Sequence, residues 1–450
     1  MKRTTVTTDT RHLLWVAPTS WDGIRGTDRP MAQEMTRYAR VLWVDPPVSA
    51  VTPGRLRGEV AGGIMPSLST IDDRITRLTP VALPGVTRPG VRATTAPLLR
   101  AQIRWALRRL QIRPDVVVAG YLQDVLGRWD GAVNVLYSTD DHVAGAGLMG
   151  LSAKRIMAQE RQAVARADIL AVVSPALAEH WSALGADSVL IPNGCYAAGA
   201  APAPAVIDLP RPLAGLVGQL TERIDMRLLE AVAGAGLSLL LIGPYDARWE
   251  RERWAALIER PNVRYVGRVP AEEVPGYLAA IDVGLTPYAD SPFNQASFPM
   301  KTLEYFSAGL PVVSTDLPGS QWLRDDLMRH EPAAASQLMA LTSDEAEFVA
   351  AVRRLAAVPG APAPADTAPA DTAPADTAAA RAAAADTAPA DTAAARAASA
   401  RAFAGRHTWR QRAAQLAETI ERWRAGEPGW GPPAGDGPRA SAGSARDVGR

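Results

Sequence analysis

Short apolar runs, many of them β-branched, recur along this chain, and each is followed by a polar turn and a helix-like segment. In the first half they are Leu13 to Ala17, Val41 to Val44, Asp115 to Gly120 (DVVVAG), Val133 to Tyr137 and Ile169 to Val173. In the second half they are LAGLVGQL from Leu213, Ser238 to Ile242, Val263 to Val266, Val283 to Thr286 and Leu310 to Thr315. A strand that is apolar on both faces belongs inside a parallel sheet. Strands alternating with helices build βαβ units, which wind into α/β domains. At 450 residues the chain has room for two such domains. The expected organisation is an N-terminal Rossmann-like domain over 1–200 and a C-terminal one over 201–358. The Ala- and Pro-rich stretch Tyr196 to Pro212 reads as the linker between them.

In such folds ligands sit beyond the carboxyl ends of the strands. The stretch Phe293 to Leu317, FNQASFPMKTLEYFSAGLPVVSTDL, runs as loop, helix and strand. Pro299 suits the first helical turn and Gly309 the helix end. A polar loop entering a helix offers free N–H groups and the positive end of the dipole to an anion. Lys301 adds a cation, and Glu304, one turn on, can accept hydrogen bonds from a sugar's hydroxyl pair. Phosphate donors beside a carboxylate describe a nucleotide-sugar site, with Asn294, Ser297, Met300, Lys301, Thr302 and Glu304 as donor-binding candidates.

Three more polar clusters follow strands. Gly218 and then Arg223 form a second Gly-to-helix phosphate site; the structural alternative pairs Arg223 with Asp225 or Glu222. PTSWDGIRGTDRP follows the first strand and offers Trp21, Asp22 and Arg29 as acceptor-binding candidates, although Trp21 could equally pack under the loop. STDDHVAG follows Tyr137 and offers Asp140, Asp141 and His142 as acceptor or acid/base groups, against a plain helix cap. Adjacent carboxylates also suit a metal, but no third ligand is evident in sequence, so none is expected.

The Phe293 to Leu317 stretch resembles the donor motif of GT-B glycosyltransferases, in particular the large retaining family 4. In form (P-x-K-x-x-E-Y) it is nearer to the teichuronic-acid and exopolysaccharide type. The resemblance implies an α/β fold of two doubly wound Rossmann-like domains facing a cleft, and a nucleoside-diphosphate sugar as donor. Glu304 would bind the donor ribose, and a glycan or lipid-linked molecule would accept the sugar. It also implies retention at the anomeric carbon and a last helix that crosses back to the first domain. Family 4 commonly has Glu-x7-Glu; here the first position is Ala296. The alternatives are a sugar-nucleotide epimerase of the same shape, which needs no acceptor, and a non-catalytic nucleotide-sugar-binding relative.

Lys+Arg 48 against Asp+Glu 47 leaves a net charge of +1, which argues against a nucleic-acid partner bound through bulk positive charge. The single cysteine, Cys195, excludes an internal disulfide and fits a reducing cytoplasm. No signal peptide and no membrane span are read, so the expected location is cytoplasmic. From Pro97 to Leu110 a helix carries Arg100, Arg104 and Arg108 beside Leu99, Ile103 and Leu107. That face could lie on anionic lipid at the inner side of a membrane, or simply pack its apolar stripe on the sheet. Between 359 and 400 the sequence is a low-complexity repeat: Asp371–Ala385 recurs as Asp386–Ala400 with only Ala384 and Ser399 differing. With no large apolar residue to bury, it is expected to be disordered or partly helical and without function. A helix over 401–424 and a disordered tail over 425–450 complete the reading.

Overall fold

The computed structural model describes residues 11–23, 26–49, 65–85, 88–147, 152–197, 199, 203–357 and 389–427. Most of the Pro46 to Gly63 loop, the repeat up to residue 388 and the tail from 428 lie outside them.

Eight strands form the first sheet: β1 (His12–Val16), β2 (Arg40–Val44), β4 (Ser67–Thr70), β5 (Ile75–Thr79), β7 (Val116–Ala119), β8 (Val133–Ser138), β9 (Ile169–Val172) and β10 (Val189–Leu190). Their order is β10-β9-β8-β7-β1-β2-β5-β4, parallel except at the β4–β5 edge. A short β3 (Val48–Ser49) and β6 (Val81–Ala82) pair separately. The second sheet takes β11 (Leu213–Val217), β12 (Ser238–Ile242), β13 (Val263–Gly267), β14 (Val283–Thr286), β15 (Val312–Ser314) and β16 (Met339–Leu341), in the order β13-β12-β11-β14-β15-β16. All its pairs are parallel. The expected α/β class with two doubly wound sheets is what the chain has.

In both sheets the strand order reverses beside the first strand, between β1 and β7 and between β11 and β14. Loops leaving a sheet at such a switch point diverge and open a crevice. Residues 18–27 and 218–225, which follow β1 and β11, therefore start at these two points.

The helices are α1 (Asp28–Met35), α2 (Pro89–Leu110), α3 (Ala153–Val164), α4 (Pro175–Ala183), α5 (Met226–Gly234), α6 (Arg251–Ile258), α7 (Val274–Ala280), α8 (Pro292–Ala296), α9 (Met300–Ala308), α10 (Pro318–His330), α11 (Ala335–Leu338), α12 (Glu345–Ala356), α13 (Pro389–Gly405) and α14 (Trp409–Arg424). Two expectations shift. α2 starts at Pro89, not Pro97, and carries Pro97 in its interior. The C-terminal helix is two helices, broken before Thr408, whose hydroxyl and Gln411 form a capping box.

α13 begins inside the repeat. Its small residues let it lie close to α9: a Cβ on Gly309 would come within 3.1 Å of the Ala397 methyl. The repeat's last turns are thus packed structure, with Ala400 fully buried. α14 then crosses to the first sheet and packs on α1. Cys195 donates from its backbone N to His407 O at 2.8 Å, and Trp409 N donates back to Cys195 O at 3.1 Å. Trp409, 3% exposed, anchors the crossing.

Candidate active site between the two sheets

α9 stands with its first turn toward the second crevice. Gly309, at φ 86°, closes it in the left-handed conformation. Lys301 Nζ donates to Glu304 Oε2 at 2.7 Å within this helix. Both side chains keep about a third of their surface exposed, at 29% and 30%. Burial works against the Lys301 charge, but the Glu304 carboxylate outweighs it and holds the ammonium pKa above its ordinary value. Gly218 lies behind this pair: a Cβ there would be 3.9 Å from Lys301 Cε. Thr302 is fully buried, and its hydroxyl has no partner among the described residues.

Arg223 sits in the loop before α5, not on the helix, because Asp225 caps α5. Nor does it pair with Asp225, which binds Arg227 instead. Its Nε donates to Asn294 Oδ1 at 3.0 Å and a terminal nitrogen to Ser297 Oγ at 3.3 Å. The guanidinium lies 5.6 Å from the Tyr288 ring centre and 4.9 Å from that of Phe293. The sequence reading missed both rings, because only the fold brings Arg223 to them.

The halves meet at α8. A Cβ on Gly145 would sit 3.0 Å from the Phe293 ring, so that ring lies on the loop after β8. Ser174 Oγ donates to Ala296 O at 2.5 Å. Ala296, where family 4 carries its first Glu, is 6% exposed and faces this junction.

Asp140 and His142 lie on the opposite wall. Burial raises the Asp140 pKa, and His142 and Arg223 pull it back. Burial lowers the His142 pKa against the pull of Asp140 and Asp141. His142 is 8% exposed, 5.6 Å from the Tyr121 ring, and its Nδ1 has no partner among the described residues. Asp141 Oδ1 accepts from Ala144 N at 2.8 Å. Asp28, the first residue of α1, lies within electrostatic reach of Asp140. Its carboxyl pKa is pushed up to about 7, chiefly by burial, with Asp140 adding to it. Trp15 Nε1 donates to its Oδ1 at 2.9 Å, and Gly120 leaves room for that oxygen.

The loop after β1 is tied into the core. Trp21 is 5% exposed and meets Trp43 edge-on at 5.1 Å. Its N–H donates to Asp45, which also accepts from Trp43 Nε1 and Arg77. Asp22 pairs with Arg77 at 2.5 Å. Arg29 donates to Trp21 O at 2.8 Å and lies over its ring. The Trp21 ring is therefore under the loop, while Asp22 keeps 43% of its surface. Asp45 was legible in principle, since WVDPP puts a carboxylate at a strand's carboxyl end.

The α2 stripe of Leu99, Ile103 and Leu107 is buried in the N-terminal half. Arg100 is held by Asp124, together with Arg128 and Arg166. Arg104 and Arg108 are exposed and line a groove of about 330 Å³ with Leu107, Ile112, Arg113 and Trp129.

This architecture has close counterparts among solved structures. Sucrose-phosphate synthase from Thermosynechococcus elongatus superposes with a TM-score of 0.63 at 16% identity, over 92% of this chain and all of that one. The chain has the GT-B fold. The catalytic domain of starch synthase IV from Arabidopsis thaliana, bound to ADP and acarbose, gives 0.59 at 12% identity over 92% and 99% of the two chains. Anabaena HepE, in complex with UDP and glucose, gives 0.54 at 15% identity over 91% and 99%. Within this GT-B chain, residues 213–357 match the family described as Glycosyl transferases group 1. A teichuronic acid biosynthesis glycosyltransferase of Bacillus subtilis, TuaH, is 37% identical over 108 residues, 24% of this chain and 27% of that protein. The phosphatidyl-myo-inositol mannosyltransferase of Mycobacterium leprae is 31% identical over 177 residues, 36% of this chain and 46% of that protein. The chain thus spans less than half the length of these relatives. No helix among the described residues is long and apolar enough to cross a membrane.

Proposed function

We propose that this chain is a glycosyltransferase that moves a sugar from a nucleoside-diphosphate sugar to a glycan or lipid-linked acceptor. The observation that carries this reading is the Lys301–Glu304 pair at the start of α9, beside Gly218 and facing the Arg223 loop. A phosphate chain on that first turn meets free N–H groups, the helix dipole and Lys301. Arg223, already oriented by Asn294 and Ser297, supplies a second cation. Glu304 would then exchange Lys301 for the hydroxyls of the donor ribose.

In this reading the leaving diphosphate is neutralised by Lys301, Arg223 and the helix dipole, without a metal at the phosphates. Transfer keeps the anomeric configuration, as the resemblance to family 4 implies. Asp140 and His142 face the reacting centre from the opposite wall and act on the acceptor or the transferred sugar. The groups bound in the HepE and starch synthase IV structures, UDP and ADP, suit such a donor site. The TuaH similarity supports a place in the making of cell-envelope or exopolysaccharide glycans. Arg104, Arg108 and Arg113 around one surface groove support peripheral contact with anionic lipid through charge alone, since the apolar stripe of α2 packs inward. Absence of co-sedimentation with anionic vesicles would remove that part.

A thermal-shift screen across UDP-, GDP-, ADP- and dTDP-sugars tests the core of the reading, because a ligand bound only by the folded chain raises its midpoint. One nucleotide class should stabilise the chain, and its sugar should be consumed only with an acceptor present. Consumption without an acceptor would make the chain an epimerase. Binding without turnover would make it a non-catalytic relative, which the buried Ala296 in place of a carboxylate favours over the epimerase.

A further inference from the structure

Three side chains from separate elements converge beside the loop after β8. Asp141 follows β8, Glu160 comes from α3 and His180 from α4. One donor atom from each lies within 4.8 Å of the others. The sequence offered no third ligand for the Asp140–Asp141 pair; the fold supplies two beside Asp141.

The state of these groups is unusual for an ordinary surface cluster. Glu160 is only 2% exposed, yet its carboxylate takes no hydrogen bond among the described residues. Its Oε2 stands 3.7 Å from His180 Nε2, beyond hydrogen-bond reach. His180 Nε2 is itself buried and without a hydrogen-bond partner among the described residues. Two carboxylates drawn together where burial strips part of their hydration repel each other, which a shared cation would offset.

We propose that Asp141, Glu160 and His180 form a binding site for one divalent transition-metal ion, Zn²⁺ or Mn²⁺. The donor set fits: imidazole nitrogen suits first-row transition metals and carboxylates broaden it to Mn²⁺. A tetrahedral ion at about 2.0–2.2 Å from each donor sets the donors roughly 3.3–3.6 Å apart, so a pair standing near the 4.8 Å limit closes by about an ångström when the ion binds. The Ala144 N–H already fixes one Asp141 oxygen at 2.8 Å, the outer-shell orientation such sites need. The Trp181 ring, edge-on at 5.4 Å, positions the His180 imidazole. The His180 side chain keeps 27% of its surface, which gives an ion a way in. Three protein ligands leave a further position for water. A bound ion would brace Asp141, and with it the neighbouring Asp140 and His142, from the side away from the diphosphate groups.

The test uses the untagged full chain, stripped with a chelator and dialysed against micromolar ZnCl₂ or MnCl₂, with MgCl₂ as a control. Elemental analysis should find one Zn²⁺ or Mn²⁺ per chain, and the melting midpoint should rise with ion concentration. Glu160→Gln and His180→Asn should each weaken binding by at least tenfold. Binding of less than one ion per chain, or wild-type affinity in the variants, would overturn the site. If Glu160→Gln does not fold, the more exposed His180→Asn variant carries the comparison. Where Mn²⁺ binds, its electron paramagnetic resonance on the wild-type chain reports the site independently, through hyperfine coupling to an imidazole nitrogen, and bound Mn²⁺ without that coupling would also overturn the proposal. UDP binding, measured alongside, reports the donor site separately.

Discussion

Arg223 and Asn294 are bonded to each other in both directions. Arg223 Nε donates to Asn294 Oδ1 at 3.0 Å, and Asn294 Nδ2 donates to the Arg223 carbonyl at 2.9 Å. Asn294 Nδ2 also reaches Ala289 O at 2.8 Å, so one buried amide joins the loops after β11 and β14. This fixes where the guanidinium points. Arg223→Ala should weaken nucleotide binding by roughly ten- to a hundredfold, the scale of a charged hydrogen bond at about 1.5–3 kcal/mol. Arg223→Lys should not restore it, since a lysine lacks the fork that meets Asn294 and Ser297 together. Calorimetric titration with UDP or whichever nucleotide stabilises the chain measures both, and unchanged affinity would take Arg223 out of the site.

Glu304 separates stability from binding. Its pair with Lys301 is partly exposed, and such pairs contribute at most about 1 kcal/mol. Glu304→Ala should therefore leave the melting midpoint nearly unchanged while lowering affinity for the intact nucleotide sugar by tenfold or more. Nucleotide binding at wild-type strength would show that Glu304 does not touch the donor.

How far the sequence reveals these features follows from the range of the forces involved. β7, β8, β11 and β12 are buried along their whole length, so each reads as an apolar run. The edge strand β4, SLST, is half exposed, polar and antiparallel, and carries no such signal. Lys301 and Glu304 share one helix, so their spacing is a local fact. The rings of Tyr288 and Phe293 around Arg223, and Glu160 and His180 beside Asp141, meet only through tertiary structure. The packing of α13 within the repeat escapes notice for another reason. Its alanines bury little surface each, and they matter because Gly309 lets α9 approach them.

Gly194 tests the crossing helix. A Cβ there would lie 2.7 Å from Trp409 N and 2.9 Å from Thr408 C, both backbone atoms that cannot step aside alone. Gly194→Ala should push α14 off the Cys195 backbone and destabilise the chain by roughly 1–3 kcal/mol, the usual scale of overpacking. Chemical denaturation measures this, and an unchanged midpoint would mean the crossing yields without strain.

Asp28 makes stability depend on pH. Burial lifts its carboxyl pKa from 3.8 to about 7, with Asp140 adding to the rise while the Trp15 hydrogen bond opposes it. The folded chain therefore holds this proton more tightly than the unfolded chain. The sign follows: folding is favoured most when the group is protonated in both states, and the contribution falls as pH climbs from about 4 to about 7. Above that range both states are ionised and the loss is complete, at up to about 4 kcal/mol for a shift of this size. Asp28→Asn keeps an oxygen for Trp15 Nε1 and removes the charge. The variant's stability advantage over wild type should grow from pH 5 to pH 7 by about 1.4 kcal/mol per unit, then level off. Paired denaturation curves at pH 5, 6, 7 and 8 give this difference, since the titrating groups remote from Asp28 cancel between the two chains. A constant difference across that range would show that Asp28 ionises at its ordinary pKa in the folded chain.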